Sequence, residues 1–169
     1  MLVEGKVRYN NLMSSTTAAP NSRPDPPPKV YRAMRRDQAD NLPVTGSNSS
    51  ADLGARRGID ITVDLAGNVV LDASGMSVAP RWRDLDFTRI PRRLHHIVPG
   101  ATGAKNHSCF TLGVGTFRYG VVANGLELIP DEGQVPVTHG VIAPVQVIPA
   151  AQYQTDLENT RADWQIDET

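Results

Sequence analysis

From Cys109 onward the chain alternates short β-prone runs with turn residues, and that spacing constrains the fold more than any other feature. The runs are Cys109 to Gly113, Tyr119 to Ala123, Leu126 to Ile129 and Val137 to Ile142, and Asn124-Gly125 is the strongest hairpin signal among them. Val30 to Met34 reads as a further short strand, and Thr45 to Ser50 as a loop or a helix start. One convincing helix is expected, from about Pro149 to Ile166. Pro149 suits its first turn, and Tyr153, Leu157, Arg161 and Trp164 fall near one face. Strands therefore outnumber helices, which predicts a compact, β-rich α+β domain.

The segment Gly58 to Arg81 joins an alternating pattern to a loop of small residues. Ile59, Ile61, Val63 and Leu65 alternate with Asp60, Thr62 and Asp64, the period of a strand with one buried face. Ala66-Gly67-Asn68 is a turn, and Val69 to Leu71 is expected to return antiparallel to the first run. The loop Ala73 to Val78 then presents Ser77 where no bulky side chain keeps a ligand from the backbone. An ordinary hairpin followed by a surface loop explains the same residues.

With 169 residues the chain is long enough for one domain with a real core. Its 17 Lys plus Arg against 18 Asp plus Glu give no overall electrostatic case for nucleic acid or membranes. Residues 1–29 are expected to form a flexible Pro-rich segment, with TTAAPNSRPDPPPK at its end, ahead of a domain over 30–169. The N-terminus lacks the apolar core of a secretory signal, and no run approaches the roughly 18 apolar residues of a membrane span. A cytoplasmic protein is expected, one that leaves its cell only through a dedicated machine. The single Cys109 allows no internal disulfide and reads as a buried, inert thiol.

Three residue groups can carry chemistry. Arg32 lies inside an apolar strand and needs an anionic partner, either a dinucleotide phosphate or a carboxylate such as Asp60 or Asp64. His95-His96, with His107, Asn124-Gly125 and His139, is similar to the signature of HNH-like nuclease toxins, in which histidines pair a base with a metal. The run Val137 to Ile142 reads as strand, however, where such a nuclease expects a helix. Arg81, Arg83, Arg89, Arg92 and Arg93, interleaved with Trp82 and Phe87, suit either a polyphosphate-binding segment or a solvated loop.

VYRAM, RRGID, DLAGNVVLDASGMSVAPR, LELIPDEG, THGVIAP and QYQTDLENTRADW, in this order, resemble a toxin family of type VI secretion. Its members are cytoplasmic effectors whose fold looks like that of ADP-ribosyltransferases, together with relatives outside secretion systems. The resemblance spans nearly all of Val30 to Trp164. It implies a split, mostly antiparallel sheet with few helices, a C-terminal helix and a cleft that takes NAD as substrate, with no metal.

Carried onto this chain, the resemblance makes Arg32, beside Tyr31, the first-strand arginine that braces NAD. Ser77 becomes the hydroxyl of a GxSV motif that includes Gly75, with Met76 in place of a threonine. His139 in THG matches a late histidine of the family, and the helix with Tyr153 and Leu157 matches its closing helix. The activity implied is transfer of ADP-ribose to a macromolecular target, or hydrolysis of NAD, through a ribosyl cation that asks for a nearby carboxylate. The chain has no Glu-x-Glu pair, so the late acidic candidates are Glu127 and Glu132; Glu127, alternating with Leu126 and Leu128, is the one expected to enter the cleft. A toxin of this kind also implies an immunity protein or antitoxin, and the cleft or the arginine-rich segment is its expected seat.

Overall fold

The computed structural model describes residues 24–169, so residues 1–23 of the Pro-rich segment expected over 1–29 lie outside the described residues. Strand β1 (Val30–Arg35) pairs antiparallel with β3 (His107–Leu112), and β3 pairs in turn with β7 (Gln165–Ile166). A second antiparallel sheet runs in the order β2 (Met76–Val78), β6 (Gly140–Pro144), β5 (Leu126–Pro130), β4 (Gly120–Ala123). Helix α1 (Ala150–Asn159) lies near the C-terminal end. The α+β class, the two antiparallel sheets and the late helix agree with the expectation from the sequence.

Alternation explains which faces meet. Met76 and Val78 of β2, Ile142 of β6 and Leu126 and Leu128 of β5 join Tyr153 and Leu157 of α1 and Trp164 in the main core. Val30 and Met34 of β1 join the same core, while Tyr31 faces a second cluster with Trp82, Ile90, Leu94 and Cys109. β1 is therefore covered on both faces, and Arg32, two residues from Val30 and from Met34, shares their core-facing side. The two sheets touch through one antiparallel bridge between Tyr31 and Ala79, with backbone bonds of 2.8 and 2.9 Å. Past that bridge β1 and β2 diverge.

Three expected elements take another form. Gly58 to Leu65 is not a continuous strand: Ile61 and Val63 make isolated bridges, to Arg57 and Val69, and Ile59 is 71% exposed. The alternating acids act locally instead. Asp60 accepts from the Arg56 amide and guanidinium, Asp64 accepts from the amides of Ala66 and Asn68, and Gly58 takes φ +72° in the turn between Arg57 and Ile61. Such side-chain bonds to nearby backbone compete with a sheet ladder. The turn at Ala66-Gly67-Asn68 does form, closing a small hairpin.

β6 starts at Gly140, so Val137 to His139 form a loop rather than strand. The helix stops at Asn159 rather than near Ile166. Thr160 Oγ1 donates to Leu157 O and accepts from Trp164 Nε1, which turns the chain so that Trp164 enters the core and Ile166 pairs with Phe110. At the other end, order reaches ahead of Val30: Pro27 O accepts from the amides of Val114 and Gly115. No helix among the described residues is long and apolar enough to cross a membrane.

Candidate active site

A cleft of about 280 Å³ opens where the two sheets part. β1 contributes Arg32 and Ala33, β2 contributes Ser77 to Ala79, the loop before β6 contributes Thr138 and His139, and a connecting loop supplies Asp84 to Asp86 and Arg89. Ser77 alternates between the buried Met76 and Val78, which turns its side chain to the outer, exposed face of the sheet. Arg32, Ser77 and His139, expected together from the sequence, do line one cavity.

Arg32 pairs with neither Asp60 nor Asp64. Its guanidinium donates to three backbone carbonyls: Ser77 O at 2.7 Å, Ser50 O at 2.9 Å and Asp52 O at 3.3 Å. It is 4% exposed, and its Nε is buried without a partner. Burial foremost, then the charge of Arg89, brings its pKa down to about 10, still far enough up to keep it cationic near neutrality. Arg32 thus closes the seam by satisfying the edge carbonyl of β2. Asp60 instead pairs with Arg56 and Asp52 with Arg35.

Arg89 is the cation that sequence reasoning did not separate from its neighbours. Its Nη1 donates to Ser50 O at 2.8 Å, the same oxygen that Arg32 uses, and it is partly exposed in the cleft. Neither arginine is within ion-pair distance of a carboxylate among the described residues. Nothing in the spacing of the arginine-rich segment distinguishes Arg89; the closure of the loop against Ser50 does.

The remaining expected site residues lie elsewhere. Tyr31 donates its hydroxyl to Asp167 at 2.6 Å and borders a neighbouring hollow with Trp82 and Thr169. Met76 is fully buried, and its amide donates to Tyr153 Oη. Gly75 backs onto β6 so closely that a Cβ would stand 2.3 Å from Ile142 O; its role is packing rather than ligand approach. Glu127 leaves the cleft altogether: it sits on β5 between Val121 and Ala143 and accepts from the Tyr119 hydroxyl at 2.6 Å. Glu132, with Asp131, borders a separate hollow on the other side of His139.

His95 and His96 are exposed beyond the short turn Arg92–Leu94, with His96 Nδ1 3.0 Å from Arg93 O. His107 Nδ1 lies 3.3 Å from Arg89 O. Among the described residues no three His, Cys, Asp or Glu side chains assemble into a group that holds a metal. In the arginine-rich segment Arg81 pairs with Asp84 and Arg93 with Glu168, while Trp82 is buried and donates to Thr169 O. Two of that segment's five arginines are therefore paired with carboxylates of the chain itself. Cys109 is fully buried, and burial, aided by Glu168, pushes its thiol up to about 12. Iodoacetamide at neutral pH is expected to label it only on unfolding; mass spectrometry showing labelling of the native chain at the rate of a free thiol would contradict this.

No protein-family model and no curated protein matches the chain, which leaves the cleft's own chemistry to indicate what it takes. That chemistry is two cations at the seam, a hydroxyl on an exposed strand face, a histidine on the opposite lip and carboxylates on the connecting loop.

Proposed function

We propose that the chain is an ADP-ribosyltransferase-like toxin that cleaves NAD and passes ADP-ribose to a target inside a cell, or to water. The observation that carries this reading is the convergence of Arg32, Ser77 and His139, from three distant parts of the chain, on one cleft at the split between two sheets. The residue types of Ser77 and His139 suit the roles that the sequence resemblance implies, whereas Arg32 is held by backbone carbonyls. At about 280 Å³ the cavity lies just under the ~300–1,000 Å³ common for ligand pockets, which suits one nucleoside half of a dinucleotide with the remainder along the open side.

In this reading Arg89 meets a phosphate, since its partly exposed guanidinium keeps donors beyond the one given to Ser50. Arg32 holds β2 in place from behind through Ser77 O. The Ser77 hydroxyl holds a ribose hydroxyl or the nicotinamide amide, and His139 takes the proton of the attacking acceptor. Delivery by a secretion machine and neutralisation by an immunity protein belong to the same proposal.

The test is release of nicotinamide from NAD by the purified chain, followed by chromatography, with growth of a bacterial host on induction as the cellular readout. Ser77→Ala and His139→Ala are expected to lower turnover roughly 10²–10³-fold while the thermal midpoint stays put. A wild-type chain that neither binds nor consumes NAD would sink the proposal, and toxicity lost only with His96→Ala would favour a nuclease.

A further inference from the structure

We propose that Asp86, on the connecting loop, is the carboxylate that faces the ribosyl cation, in place of the strand residue Glu127. The inference rests on the reading of the cleft as an NAD site. A ribosyl cation needs an anion beside it that is not already neutralised. Glu127 is outside the cleft and holds Tyr119. Asp84 lines the cleft, but both its oxygens accept from Arg81, at 2.8 Å each. Asp52 and Asp60 are bound to Arg35 and Arg56. Glu132 and Asp131 belong to the hollow beyond His139.

Asp86 differs from all of these. Its Oδ1 accepts from the Thr88 amide at 2.8 Å and the Thr88 hydroxyl at 2.7 Å, which fixes the carboxylate's orientation, while Oδ2 has no partner among the described residues. Its own carbonyl accepts from the amides of Arg89 and Ile90, so the residue is pinned by side chain and backbone together. The Thr88 hydroxyl foremost, then the Thr88 amide, with a contribution from Arg89, holds its carboxyl below the usual range and therefore charged. An exposed anion thus stands on the rim close in sequence to the cation of Arg89. This suits a ligand with a cationic ring at one end and an anionic diphosphate at the other.

The step balances without a further reactant. The bond between ribose C1′ and the nicotinamide ring nitrogen breaks, its electron pair goes to that nitrogen, and nicotinamide leaves neutral. The positive charge moves onto C1′ and the ring oxygen of the ribose, where Asp86 opposes it. A lone pair of the acceptor oxygen or nitrogen forms the new bond to C1′, and the acceptor's proton goes to His139.

The experiment compares wild type, Asp86→Asn and Glu127→Gln for nicotinamide release, with kcat and KM measured separately and NAD affinity by calorimetry. Asparagine keeps the acceptor that Thr88 uses, so Asp86→Asn removes charge and spares the turn. The expected result is a kcat lowered roughly 10²–10³-fold with KM and affinity little changed, and Glu127→Gln as active as wild type. Loss of kcat in Glu127→Gln, an unaffected Asp86→Asn, or an Asp86→Asn that raises KM alone would each overturn the assignment while leaving NAD as substrate. A wild type that binds and consumes no NAD removes the cleft reading and this assignment with it.

Discussion

Arg32→Met is expected to lower the stability of the folded chain by about 2–4 kcal/mol, read as a shifted midpoint in urea denaturation. Methionine fills much of the space but donates nothing, so Ser77 O and Asp52 O are left without the bonds that Arg32 makes to them. Each orphaned buried carbonyl costs about 1–3 kcal/mol. Removing a buried charge offsets part of this, as the depressed pKa of Arg32 indicates, yet the carbonyls remain. Ser50 O is spared because Arg89 still donates to it. An unchanged midpoint would show that the carbonyl cage contributes nothing. For the proposed function this means that activity lost in an Arg32 variant would report on the seam as well as on the site, so Ser77 and His139 are the sharper probes.

Tyr153→Phe is expected to cost a similar amount, about 2–4 kcal/mol, through a different junction. The Tyr153 hydroxyl donates to Ile142 O at 2.6 Å and accepts from the Met76 amide at 3.1 Å, so one oxygen ties α1 to both β6 and β2. Both backbone groups are deeply buried, as is the ring, and phenylalanine strands them together. The strand thus loosened carries Ser77, so under the proposed function nicotinamide release by Tyr153→Phe is expected to fall along with stability. Thermal unfolding followed by near-ultraviolet dichroism checks the first effect and nicotinamide release the second. A variant as stable as wild type would mean that β2 and β6 hold their spacing without α1.

Local signals identified the elements whose environment is set by their neighbours in the chain. Val30 to Met34, the hairpin across Asn124-Gly125 and the buried Cys109 follow from apolar runs and turn chemistry, and they stand in the structure as β1, the β4–β5 turn and an inert thiol. Gly58 to Leu65 misled for the same local reason. Its alternation matched a strand, but Asp60 and Asp64 bond to backbone within four residues of themselves, and a turn is cheaper to close than a ladder to a distant partner. The helix read through to Ile166 likewise missed Thr160, whose hydroxyl bonds back to Leu157 and lets Trp164 leave the helical path.

The sequence by itself determined a β-rich α+β domain, its main strands, and the set of Arg32, Ser77 and His139 as residues to follow. Only the tertiary structure decided what those residues do. It gave Arg32 three backbone carbonyls instead of Asp60 or Asp64, left Glu127 outside the cleft although it shares a sheet face with Ser77 two strands away, and brought Arg89 and Asp86 into it. The physical reason is that periodicity reports which face a residue shows, whereas donor and acceptor matching depends on which strands end up adjacent. The meeting of Arg32 with Ser77, across 45 positions, exists only once β1 and β2 have bridged at Tyr31 and Ala79 and then parted.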